Sequence, residues 1–154
     1  MPIPEAGSTA PPFSLRSDSG DVVSLKDLTG KKVVLYFYPK DDTSGCTVEA
    51  CEFRDSWTAV QKRGAVVVGV SPDGVGSHLQ FKKKFALPFP LLADEDHAVA
   101  EAYGAWGEKS MYGRKYNGIL RMTFIIGENG KIEKVFPKVK PKGHAAEVLA
   151  AIIG

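Results

Sequence analysis

The run Val33-Val34-Leu35-Tyr36-Phe37-Tyr38, followed without a break by Pro39-Lys40-Asp41-Asp42-Thr43-Ser44-Gly45-Cys46, decides the reading of this chain. A continuous apolar run has no polar face, so Lys32 to Tyr38 is predicted to be a central strand covered on both sides. Pro39 fixes the backbone as it leaves that strand, Thr43 brings a hydroxyl within a turn of the sulfur, and Gly45 keeps the approach open. A helix is predicted from Thr47 to Arg63, with Val48, Cys51, Trp57 and Val60 among its inward positions and Gly64 as its C-terminal cap. Cys46 then opens a helix at a strand end, where outward-pointing backbone N–H groups and the helix dipole favour the thiolate. Cys51, five residues on, is a second thiol within reach of the same element.

Outward from this stretch, Ala65 to Val70 is predicted as a second buried strand. Ser77 to Ala86 follows as a helix with Leu79, Phe81 and Phe85 inward and Lys82, Lys83 and Lys84 outward. Strand, helix, strand, helix implies a parallel core and an α/β fold. Asp96 to Tyr103 reads as a short helix and Gly104 to Asn117 as a long loop. Ile119 to Ile126 and Lys131 to Val139 flank Gly127-Glu128-Asn129-Gly130, a hairpin signal, and a last helix runs from His144 to Ile152. At the other end, Phe13 to Arg16 and Val22 to Leu25 around Ser17-Asp18-Ser19-Gly20 form an added N-terminal β-hairpin. With no internal repeat or linker, residues 1–154 are predicted to form a single domain.

The chain has 154 residues, 44% apolar and 25% charged, ordinary for a soluble globular protein with one core. A net charge of +2 is too small to argue for nucleic acid or membrane as a partner. Lys131, Lys134, Lys138, Lys140 and Lys142 read as a solvated edge that discourages strand pairing. Met1 to Glu5 carries no signal-peptide pattern, and no stretch approaches the ~20 apolar residues of a membrane span, so the expected location is cytoplasmic. In that compartment two cysteines point to redox catalysis or metal rather than a lasting structural disulfide.

Zinc is poorly served, because His78, His97 and His144 form no H-x₃₋₅-H pair to complete a site with Cys46 and Cys51. Arg121 lies in the apolar run Ile119 to Ile126, where a permanent charge needs an anion or an open edge; the Cys46 thiolate is a candidate anion, solvent the alternative. Glu49, one helical turn after Cys46, is placed to hold the Arg121 guanidinium or to be solvated. Trp106, Met111, Tyr112 and Tyr116 in the long loop either wall a pocket or pack on the core.

Pro39, Thr43 and Cys46 stand at the spacing of the peroxiredoxin active-site pattern, and the chain resembles the bacterioferritin-comigratory-protein class of that family. Ser71-Pro72-Asp73, Leu87-Pro88-Phe89, Tyr103-Gly104, Arg121-Met122-Thr123-Phe124 and Lys138 to His144 match as well, so the likeness spans nearly the whole chain. The thioredoxin-like fold, with a central mixed sheet and flanking helices, agrees with the order of elements above. The resemblance implies reduction of hydrogen peroxide and organic hydroperoxides by Cys46, with Thr43, Arg121 and backbone N–H groups holding the peroxide. It implies a sulfenic acid that Cys51 condenses to an intramolecular disulfide, thioredoxin or a similar dithiol as reductant, no cofactor or metal, and a monomer. Two rivals are a thiol–disulfide oxidoreductase, whose chemistry uses C-x-x-C instead, and a non-enzymatic thioredoxin-like binding module. On a regular helix residues 46 and 51 are too far apart for a disulfide, so oxidation is expected to rearrange the Thr43 to Phe53 region.

Overall fold

The computed structural model describes residues 2–152. An antiparallel hairpin of β1 (Ser14–Arg16) and β2 (Val22–Ser24) leads through a 3-10 turn, Leu25–Leu28, into β3 (Lys32–Phe37). Every residue from Val33 to Tyr38 is at most 1% exposed, as a strand with both faces covered must be. Next come α1 (Ser44–Asp55), α2 (Trp57–Lys62), β4 (Ala65–Ser71), α3 (Val75–Phe85), β5 (Leu91–Ala93) and α4 (Ala98–Ala102). The chain finishes with β6 (Trp106–Met111), β7 (Arg114–Ile119), β8 (Met122–Ile126), β9 (Ile132–Phe136) and α5 (His144–Ala151).

Five strands make the central sheet in the order β5-β4-β3-β8-β9. β3 runs parallel to β4 and antiparallel to β8, so the sheet is mixed, and the strand predicted as central lies at its middle. Alternation along β3 divides the core in two. Val34, Tyr36 and Tyr38 face one layer with Phe53 of α1, Phe81 of α3 and Val148 of α5, whereas Val33, Leu35 and Phe37 face the other with Tyr103 and Phe124. Gly69 lies opposite Tyr36 in the β3–β4 register, and a Cβ there would stand 2.9 Å from the tyrosine ring and hydroxyl. The glycine leaves room for the Tyr36 ring, which packs against Phe53 of α1.

The fold departs from the sequence reading in several places. The predicted helix over residues 47–63 begins earlier and is two helices, because Ser56 leaves helical geometry with ψ near 1° and turns Trp57 toward Phe89. Val48 and Leu79, read as inward, are exposed. The 104–117 stretch, read as a loop, is largely the β6–β7 hairpin, which pairs with no strand of the main sheet. Its two-residue turn, Tyr112 and Gly113, has positive φ at both positions, the type I′ geometry of tight hairpins. The strand read from Ile119 to Ile126 is likewise divided at Leu120 and Arg121, where the chain crosses from this arm to the central sheet.

Candidate active site

Thr43 occupies the N-cap of α1, which makes Cys46 its third residue. The N–H groups of this first turn have no intrahelical acceptor, and no acidic residue lies within it, so the helix end presents its positive pole to the sulfur. The Thr43 hydroxyl donates to the carbonyl of Lys40 at 2.9 Å, leaving its oxygen lone pairs to accept. Pro39, half-buried, carries the chain off β3 through a tight loop in which Asp42 takes a left-handed φ of 57° and pairs with Lys84 at 2.7 Å.

Cys46 is 1% exposed. Its Sγ accepts a hydrogen bond from Arg121 Nη2 at 3.2 Å, while Arg121 Nη1 donates to Glu49 Oε1 at 2.6 Å. One guanidinium thus bridges the sulfur and a carboxyl one turn further along the same helix. Arg121 reaches both because it sits at the break between β7 and β8, just before the start of β8, which lies beside β3 in the sheet. Gly45 packs beside the same guanidinium, and a Cβ there would lie at contact distance, 3.4 Å, from Arg121 Nη2 and from the Pro141 ring.

Burial drives the charge balance of this triad. Glu49 is 1% exposed and its Oε2 has no hydrogen-bond partner among the described residues. Desolvation pushes its pKa up to about 7 even though Arg121 pulls the other way. Burial would weaken the Arg121 charge, but Glu49 and Cys46 outweigh it and raise its pKa. Beneath them Tyr36 is held well above the usual phenol range by burial first, then by Glu49 and Cys46.

Cys51 lies on the same helix, half-buried, and both thiols are free. Beside Arg121 opens a cleft of about 500 Å³, with apolar walls from Ile3, Leu120, Met122 and Val139 and cations from Lys109 and Lys138. Lys109 escapes sequence reading because it belongs to the unrecognised arm. Of the arm's aromatic and methionine side chains, Tyr112 is 98% exposed and Met111 and Tyr116 are also exposed, so they do not pack on the core.

A second buried cluster braces the loop before Cys46. Asp41 Oδ1 accepts from the Tyr38 hydroxyl at 2.6 Å, and Asp41 Oδ2 meets the Ser77 hydroxyl at 2.8 Å and His78 Nδ1 at 2.7 Å. His78 Nε2 is 2.9 Å from the Leu92 carbonyl, and the Asp41 N–H donates to Asp73 at 2.8 Å. Asp41, Asp73 and His78 have the spacing of a metal group. Their ligand atoms are already engaged with one another and with Tyr38, Ser71 and Ser77, and the cluster works as an anchor between α3 and the loop. No sequence pattern announces it, since its members come from separate elements.

Residues 6–135 match the AhpC/TSA family. The bcp peroxiredoxin relative of Coxiella burnetii is 55% identical over 148 residues, 96% of this chain and 98% of its own. Peroxiredoxin Bcp of Bacillus subtilis is 49% identical over 96% of this chain and 94% of its own length. Among solved structures, peroxiredoxin Q of Xanthomonas campestris superposes with a TM-score of 0.87 at 41% identity, covering 91% of this chain and 89% of that one.

Proposed function

This chain belongs to the AhpC/TSA family and within it to the Bcp peroxiredoxins, thiol peroxidases, and on that footing we propose that Cys46 is its peroxidatic thiol and Cys51 its resolving thiol. The observation that carries the assignment is the Cys46–Arg121–Glu49 bridge at the N-terminus of α1. A thiolate is the nucleophile in peroxide chemistry, and both the helix pole and a guanidinium at 3.2 Å favour it.

The Cys46 sulfur attacks the protonated terminal oxygen of the hydroperoxide along the O–O axis. The S–O bond forms as the O–O bond breaks, and the leaving oxygen takes the electron pair and then a proton, giving water or an alcohol. Arg121 and the free N–H groups of the first turn face the charge that develops, and Thr43 accepts the hydrogen bond of the peroxide O–H. Glu49 fixes the guanidinium, and Pro39 sets the turn that brings the loop under it. Cys46 sulfenic acid then condenses with the Cys51 thiol, releasing water and forming a disulfide. A dithiol protein such as thioredoxin returns both sulfurs to thiols. We place this cycle in the cytoplasm, run by a monomer on hydrogen peroxide and organic hydroperoxides. Among the described residues, no helix is long and apolar enough to cross a membrane.

Peroxide consumption coupled to thioredoxin, its reductase and NADPH tests the reading. Cys46→Ser is expected to lose at least about nine-tenths of turnover while keeping the parent circular dichroism, and larger residual turnover refutes the assignment. Cys51→Ser is expected to react once, then stall and accumulate sulfinic acid at Cys46. Cycling of that variant at the parent rate would remove Cys51 from the mechanism.

A further inference from the structure

We propose that Lys109, carried by the β6–β7 arm, is a second cation of the active site, contacting the hydroperoxide in the Arg121 cleft and favouring both the Cys46 thiolate and the charge on the leaving oxygen. The inference rests on the thiol-peroxidase reading and adds a residue to it from an element outside the central sheet.

The geometry comes first. Lys109 and Arg121 line one cleft, so a ligand filling it meets both. Gly107, Lys109 and Met111 share a face of β6 by strand alternation. A Cβ on Gly107 would lie 3.1 Å from Leu120, another wall of the cleft, so that face looks inward at Gly107 and Lys109, while Met111 nearer the tip is exposed. Across the ladder, a Cβ on Gly118 would stand 3.2 Å from Lys109 Cδ, and the missing side chain leaves the lysine stem its path. The arm is held at its base, where Trp106 stacks on His97 with centroids 3.7 Å apart and the Leu120 N–H donates to the Ala105 carbonyl at 2.8 Å. Its outer face is separate, with Lys115 pairing Glu108 at 3.8 Å.

The electrostatics agree. Lys109 is half-buried, yet among the described residues no carboxylate lies within ion-pair distance of it. The charged groups it faces are Arg121 and Cys46, with Lys138 on the far wall and Tyr116 across the ladder. Burial and then Arg121 lower its pKa, and Cys46 opposes them. A half-buried cation with no carboxylate partner, on the wall that Arg121 shares, adds positive potential to the cleft where the charge of the leaving oxygen develops.

In the reaction Lys109 changes no bond. Sulfur donates its pair to the terminal oxygen, the O–O bond breaks, and the leaving oxygen is protonated from water while the ammonium lowers the energy of the transient anion.

The test compares Lys109→Met, Lys109→Arg and Lys115→Met in the full chain at low salt. Readouts are the rate of Cys46 oxidation by hydrogen peroxide and the pH profile of Cys46 alkylation by iodoacetamide. Lys109→Met is expected to slow oxidation on the order of tenfold, less than the 10²–10³ of a fully buried oxyanion donor, and to move the alkylation profile alkaline. Lys109→Arg is expected to restore both, and Lys115→Met to leave both at parent values. Parent-like oxidation and alkylation in Lys109→Met overturns the proposal, as does failure of the arginine to rescue. Failure of the parent chain to consume peroxide would instead sink the thiol-peroxidase reading, so the two are separable.

Discussion

Formation of a Cys46–Cys51 disulfide after peroxide has oxidised Cys46 is expected to melt the start of α1, and helix geometry gives the size of the effect. Both cysteines lie within one regular helix in the reduced protein. Residues five apart differ by about 140° around the axis and about 7.5 Å along it, which with a Cα radius near 2.3 Å puts the two Cα atoms about 8.7 Å apart. A disulfide tolerates about 7 Å, so a closure of nearly 2 Å is required that rotamers cannot supply. The turn between the cysteines must open, and with it go the Cys46–Arg121 bond, the Arg121–Glu49 pair and the Glu52 bonds to the Gly143 N–H at 2.9 and 3.2 Å. Phe53, fully buried with its ring 5.0 Å from Tyr36, resists further fraying, since uprooting such a ring costs about 3–5 kcal/mol. The assay is amide hydrogen exchange on reduced and oxidised protein. Amides 48–53 of an intact core helix open with several kcal/mol, whereas a melted turn opens near zero, so exchange there should accelerate at least about 100-fold. Amides of β3 and β8 should stay protected. Equal protection of residues 48–53 in both forms, with the 46–51 disulfide confirmed by mass spectrometry, refutes the reasoning.

Arg121→Ala removes the guanidinium from the sulfur and should slow Cys46 oxidation by hydrogen peroxide on the order of 10²–10³-fold; a parent-like rate shows that the cation does not act on the reacting atoms. Glu49 has its pKa raised to about 7 in the folded chain against 4.5 without the fold. A group shifted this way contributes stability that is fully present below pH 4.5 and lost as pH rises through 7. Relative to Glu49→Gln, parent stability in urea should therefore fall on the order of 2 kcal/mol between pH 5 and pH 8, and parallel curves would show that burial does not govern this carboxyl.

The sequence speaks clearly where one physical effect acts alone. Val33 to Tyr38 has to be buried on both faces, and it is the middle strand. Gly127 to Gly130 turns the chain between β8 and β9 as its composition demands. Helical spacing sets Glu49 on the Cys46 side of α1, and its carboxyl meets Arg121 there. The β6–β7 arm was illegible for the opposite reason. Glu108, Lys109, Ser110, Arg114, Lys115 and Asn117 give it no apolar face, so no alternation marks it, and the turn residues Tyr112-Gly113 are its one local signal. Asp41 and His78 are 37 positions apart, and only the packing of α3 against the end of β3 makes them neighbours.

The reactive site is assembled from two parts with different freedom, and this has a chemical consequence. Arg121 adjoins β8, which is laced to β3 and β9, and Asp41 is tied to α3 through His78 and Ser77, so the cation and the loop preceding Thr43 are fixed. Cys46, Glu49 and Cys51 ride on a helix whose first turns are held to that frame chiefly by Arg121, Gly143 and the Phe53 ring. On the proposed cycle, forming the disulfide is expected to withdraw the sulfur and the carboxyl together and to leave the guanidinium in place. Peroxide would then meet a cation but no nucleophile, and an incoming dithiol is expected to find a disulfide on a melted turn instead of the buried thiol. Reduction is expected to remove the constraint, so that the helix re-forms around Phe53 and the Arg121 bridge and Cys46 returns to its place beside the guanidinium.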